Sequence, residues 1–245
     1  MQSLSTSVRV SDLVRESPGR TRVLEQFGID YCCSGTRTLA DACTIKRISP
    51  ESVLSALREY DRTADLDVID WNQAPLGRLI DHILQDHHMH LREELPRIES
   101  LFQKVIAAHG NKYPEIVESA DVFVDLRYEL ECHMMKEEQA LFPAIRRVQN
   151  WVPSDGIGRC AVGIGEPIAV MEFEHSRAGR ALNDMHRLTN GWRIPESACP
   201  THCALLEALA RLERDLHEHI SEENNILFPR ALELGDSEYE GGAGD

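Results

Sequence analysis

Four histidines and two glutamates stand where a helix bundle should place apolar side chains. On the segment 200–233, Leu205, Leu209, Leu212, Leu216, His219, Glu223 and Ile226 follow at spacings of 4, 3, 4, 3, 4 and 3. That spacing is one stripe of a helix facing a core, and His219 and Glu223 lie in it. The segment 115–148 repeats the pattern with Leu126, Leu130, His133, Glu137 and Ala144. The segment 164–190 carries Ile168, Met171, His175, Ala178, Leu182 and Met185. The segment 75–108 carries Ile80, Leu84, His88, Leu91, Leu95 and Ile98. Buried imidazoles and ionised carboxylates are destabilising without partners. Six of them converging in one bundle call for positive charge between them, and a pair of metal ions supplies it.

An internal repeat strengthens this reading. His133 and Glu137 are followed by Leu141-Phe142-Pro143, and His219 and Glu223 by Leu227-Phe228-Pro229. Both runs read H-x3-E-x3-L-F-P, displaced by 86 residues, while His88 and His175 are displaced by 87. Two copies of one helical hairpin are expected, related by a pseudo-two-fold axis. Each supplies two histidines and one glutamate. Two metals, each with two imidazoles and both carboxylates as bridges, is the simplest symmetric arrangement.

Imidazole with carboxylate suits iron, zinc or manganese, and the absence of thiolate from the set argues against structural zinc. Bridging carboxylates with open positions favour two irons, each left with room for oxygen, nitric oxide, peroxide or water. No residue is assigned as catalytic. Glu129, one turn before His133, and Glu174, next to His175, are candidates to orient the ligands or line a route for iron. They read equally as surface charges. His82, His87, His90 and His217 fall off the stripes and are expected in solvent.

The elements that must hold these residues follow from the rest of the chain. It has 245 residues and is all-α on its periodicity, since no segment alternates as a strand. Residues 1–62 read as a small helical domain, with a short turn at Asp12–Glu16 and a helix capped by Ser17 that opens at Pro18 and ends at Gly28. Further helices are expected at Thr38–Lys46 and from Pro50 to about Arg62. Residues 63–74 read as a linker, 75–234 as the four-helix bundle, and 235–245 as an acidic disordered tail. The turn-rich connection at 149–163 separates the two hairpins.

Lys and Arg number 26 against 41 Asp and Glu, a formal charge of −15. Such a chain is repelled by nucleic acid and by anionic membranes, so neither is an expected partner. No run reaches the roughly 20 apolar residues of a membrane helix, and the start shows no secretory signal. Seven scattered cysteines fit a reducing cytoplasm better than a disulfide scaffold. Cys32 and Cys33 are adjacent, in the loop Asp30-Tyr31-Cys32-Cys33-Ser34-Gly35. They read either as two ordinary loop thiols or as a redox or iron-handling pair. Cys132, beside His133, points off its stripe, and Cys199 and Cys203 lack obvious partners.

Taken together, DYCCSG, HMMKEE with LFP, EH in the third helix and HISEEN with LFP resemble the bacterial di-iron iron–sulfur cluster repair family. The resemblance spans about Ser11 to Leu234. It implies a hemerythrin-like bundle behind a small N-terminal domain. It places the family's ligands on His88, His133, Glu137, His175, His219 and Glu223, and its cysteine pair on Cys32 and Cys33. The connection at 149–163 is longer than expected for the family, and the acidic tail is extra. Both bear on dimerisation or access to the metals, and a homodimer is open.

The resemblance implies two iron ions joined by an oxo or hydroxo bridge, and a role in rebuilding iron–sulfur proteins damaged by nitric oxide or peroxide. Iron released from the bundle would restore the cluster, with damaged iron–sulfur proteins as clients. Two other functions stay open. One is nitric oxide reduction at the di-iron site, and the other is hemerythrin-like binding or sensing of oxygen or nitric oxide.

Overall fold

Residues 4–32, 35–63, 69–150 and 163–236 are described by a computed structural model, and they are mostly helical. Among them no strands pair beyond an isolated bridge between Arg9 and Thr38. The chain divides into two compact units, Met1–Leu79 with His217–Asp245, and Ile80–Leu216.

In the first unit, α1 (Val10–Glu16) is a helix where the sequence suggested only a turn. Val10, Leu13 and Val14, three and four residues apart, give it a buried face. The next helix does not open on a Ser17 cap as expected. Ser17 makes no side-chain cap bond, and Pro18–Arg20 tightens into a 3-10 turn before α2 (Thr21–Gln26). That turn seats Gly19 against Tyr60, where an added Cβ would stand 1.7 Å from the hydroxyl. α2 ends at Gly28, whose φ of 63° suits glycine.

Thr38 caps α3 (Leu39–Lys46) by accepting from the Asp41 amide at 3.2 Å. α4 (Pro50–Thr63) follows. Leu13, Leu24, Leu39 and Leu57 pack with Ile220 in one core, each fully buried leucine contributing roughly 1.5–3 kcal/mol. The buried Arg20 guanidinium holds both Asp61 oxygens, at 2.9 and 2.8 Å, together with Glu16 and the Leu13 carbonyl. Part of the expected linker is packed as well. Trp71 and Ala74 are buried, and the Asn72 amide donates to the Arg15 carbonyl. Residues 64–68, most of the connection at 149–163 and most of the acidic tail lie outside the described residues.

Four long helical stretches appear near their expected bounds. α5 (Leu76–His82) leads through Ile83–His88 into α6 (Met89–His109). α7 (Pro114–Lys136) leads through Glu137–Leu141 into α8 (Phe142–Gln149). α9 (Gly165–Leu188) stands alone, and α10 (Pro200–Glu222), which belongs to both units, leads through Glu223–Leu227 into α11 (Phe228–Asp236). Leu95, Phe102, Phe123, Leu126, Leu182 and Leu209 are part of a continuous core in the second unit. Phe102 and Phe123 sit with ring centroids 5.2 Å apart. Among the described residues no helix is long and apolar enough to cross a membrane.

Candidate metal centre

Three of the four helical stretches widen into a π turn at a candidate ligand. His88 ends one, Glu137 begins the second and Glu223 begins the third. The Phe142 and Phe228 amides reach back five residues to the carbonyls of Glu137 and Glu223. Pro143 and Pro229 follow directly. Proline lacks an N–H and crowds the preceding turn, and a widened turn accommodates both. The L-F-P sequel thus suits a bulge that presents the glutamate. The bulge advances the register by one residue. Ile145 is fully buried, and Ala144, which an unbroken helix would turn inward, is only half-buried.

His88, His133, Glu137, His175, His219 and Glu223 are all buried. The Nε2 atoms of His88 and His133 each stand 3.3 Å from one oxygen of Glu137. His175 Nε2 is 3.1 Å from His133 Nε2. His219 Nε2 is 3.2 Å from Glu223. The six fall into two overlapping clusters. One is His88, Glu137, His219 and Glu223, and the other is His133, Glu137, His175 and Glu223, with ligand atoms within 4.8 Å of one another in each. Both carboxylates belong to both clusters, and each cluster takes one histidine from each copy of the repeat.

The outer ring nitrogens fix which way the inner ones face. His88 Nδ1 bonds to Glu138 at 2.8 Å, and His133 Nδ1 to Glu174 at 3.0 Å. An ionised carboxylate only accepts, so each Nδ1 carries the proton and each Nε2 lone pair points inward. Glu138 is also held by Arg92 and Glu174 by Lys136. The His133 hydrogen bond, opposed by burial and aided by Lys136, holds the Glu174 carboxyl down at about 2. Burial pushes the Glu138 carboxyl up, and hydrogen bonds from Arg92 and His88 outweigh it and leave it below the usual value. The His88 ring stacks on Phe142 of the L-F-P sequel, with centroids 5.8 Å apart.

The chemistry of this donor set fits metal. Neither oxygen of the fully buried Glu137 accepts a hydrogen bond among the described residues, although a buried carboxylate needs a positive partner. Inward imidazoles and shared carboxylates form two overlapping groups of nitrogen and oxygen donors, a candidate binuclear site.

Other sequence candidates sit elsewhere. Glu129 pairs with Arg177 and is not among the residues of either cluster. His87, expected in solvent, is buried, with Nδ1 2.9 Å from Asp215 and its ring edge-on to His82. Glu138 went unnoticed because a glutamate following a ligand reads as a solvated neighbour. The signal was the Glu-Glu pair at 137–138. Cys32 is buried, and its thiol donates to Asp30 at 3.4 Å, whereas Cys33 lies outside the described residues. Cys132, Cys199 and Cys203 are free and half-buried.

Comparison with known proteins bears on the same two parts of the chain. The family model described as "Hemerythrin HHE cation binding domain" matches residues 79–231, and "Domain of Unknown function (DUF542)" matches residues 6–61. Proteins described as "Iron-sulfur cluster repair protein YtfE" from Escherichia coli O17:K52:H18, Citrobacter koseri and Shigella boydii serotype 4 are each 38% identical over 225 residues. The alignments cover 91% of this chain and 96% of each relative.

Proposed function

The chain belongs to the iron–sulfur cluster repair family with a hemerythrin-like domain, and from that premise we propose that it repairs damaged iron–sulfur clusters by supplying iron. The observation that carries this reading is the pair of buried clusters sharing Glu137 and Glu223. His88, His133, His175 and His219 complete the set that would hold two irons joined by a small oxygen bridge. Bound iron supplies redox-gated affinity, since ferrous ions are held less tightly than ferric ones.

The residues themselves do three things. Glu138 and Glu174 keep the His88 and His133 lone pairs directed inward. Both carboxylates are fully buried, and their removal from bulk water strengthens their hold on a cation. Arg92 and Lys136 balance the outer carboxylates, so the histidine protons stay where an ion requires them. Iron is the cargo, and a client with a basic docking surface suits a chain of charge −15. Cys32 and Cys33 are candidates to receive the ion or dock the client. The scattered cysteines suit a reducing cytoplasm.

The test mixes ferrous-loaded chain with an iron–sulfur enzyme stripped of its cluster, supplies sulfide, and follows recovered activity. Recovery in proportion to iron delivered is expected. A second arm feeds nitric oxide with an electron donor and measures nitrous oxide. Many turnovers there, with no recovery of the client, would replace repair with reduction.

A further inference from the structure

Asn225 ties the cysteine loop to the turn that carries a metal ligand. Its buried side-chain amide donates to the Tyr31 carbonyl at 3.2 Å and to the Ser221 hydroxyl at 2.9 Å. Both amide hydrogens are thereby engaged. Asn225 sits in the π turn Glu223–Leu227, two residues after Glu223, and Tyr31 immediately precedes Cys32. All of these residues lie in one compact unit.

The Tyr31 end of this link is held firmly. Its hydroxyl donates to Glu25 at 2.7 Å, and its ring meets His217 edge-on with centroids 6.0 Å apart. Gly35 closes over its carbonyl so tightly that an added Cβ would stand 2.6 Å from the oxygen. The glycine of the DYCCSG run is therefore required by the same carbonyl that Asn225 engages. On the helix side, His217 meets the Tyr31 ring and Asn225 its carbonyl, while Ser221 accepts the second hydrogen of the Asn225 amide. The Glu223 turn and the backbone entering Cys32 are thus joined through the Asn225 side chain.

We infer that Asn225 is a positioning residue that couples the Glu223 turn to the Cys32 thiol, so that metal at the bundle site sets how readily the thiol opens to solvent. The inference builds on the iron-handling reading, but its test reads a thiol rather than a repaired cluster. Failure of repair would leave the thiol result standing, and failure of the coupling would leave repair standing.

The experiment compares full-length chain with Asn225→Leu, each metal-free and loaded anaerobically with ferrous iron. Alkylation of Cys32 by N-ethylmaleimide is followed by peptide mass spectrometry. Cys43, buried in the same unit, serves as internal control. Iron is expected to slow Cys32 alkylation in the wild type. Asn225→Leu should raise the metal-free Cys32 rate about fivefold, the opening ratio one ordinary hydrogen bond sets. It should also remove the effect of iron, with Cys43 unchanged. An unchanged Cys32 rate, an iron effect that survives the substitution, or an equal rise at Cys43 would overturn the inference. If Asn225→Leu fails to fold, Asn225→Ala, which removes the donor to the Tyr31 carbonyl without adding bulk, decides by the same rates.

Discussion

His133 uses its two ring nitrogens in opposite directions. Nδ1 meets Glu174 at 3.0 Å, and Nε2 faces Glu137 at 3.3 Å. The sequence places Glu174 beside His175, yet the structure gives its carboxylate to His133. A histidine ligand oriented by an outer carboxylate binds metal more tightly, because the inward lone pair is fixed before the ion arrives. Glu174→Gln should therefore weaken metal binding by roughly 10–100-fold. Competition against a chelator of known affinity measures it. Glu129→Gln, whose native partner is Arg177, should leave affinity unchanged. Equal losses in both variants would remove Glu174 from this role.

Each outer carboxylate has a cation behind it, Arg92 at Glu138 and Lys136 at Glu174. Arg92→Ala leaves Glu138 hydrogen-bonded to His88, and should weaken metal binding less than Glu138→Ala does. The same chelator competition ranks the two.

His202 is buried, and neither of its ring nitrogens has a hydrogen-bond partner among the described residues. Burial lowers its pKa from the ordinary 6.5. The unfolded chain then binds the proton that the folded chain refuses. This group's contribution is fully present above about pH 6.5 and is lost as pH falls below it, down to the folded pKa. Wild-type chain should lose more melting temperature between pH 7.5 and 5.5 than His202→Leu does. Equal losses would show that His202 is protonated without penalty.

Arg20 is almost wholly enclosed, and its guanidinium serves Asp61, Glu16 and the Leu13 carbonyl. Arg20→Met keeps the stem and removes the donors. Breaking a buried pair from one side costs on the order of 3 kcal/mol, read here from urea unfolding. A loss below about 1 kcal/mol would class the network with ordinary surface ion pairs.

Periodicity made the bundle legible because a histidine or glutamate in a leucine stripe is a chemical anomaly visible without coordinates. The four long helices and the L-F-P repeat were readable for the same reason. What escaped was departure from ideal period. Counting by 3.6 assumes an unbroken helix, so it turned Ala144 inward where the π turn delivers Ile145. The prolines at 143 and 229 were the available warning. Side-chain partners between helices, such as Glu138 with His88 and Asp215 with His87, depend on rotation and packing that one stripe does not specify. In the first unit, Val10, Leu13 and Val14 carried a helical spacing, but over too few residues to outweigh a turn.

Glu137 and Glu223 each belong to both donor clusters, so on the proposed function they serve two ions at once. Iron per chain, measured by plasma mass spectrometry on anaerobically reconstituted protein, tests it directly. Two irons per wild-type chain are expected, and Glu223→Ala should lose both while helical circular dichroism is retained. One iron or none in the wild type, or two irons retained by Glu223→Ala, would contradict a shared binuclear centre.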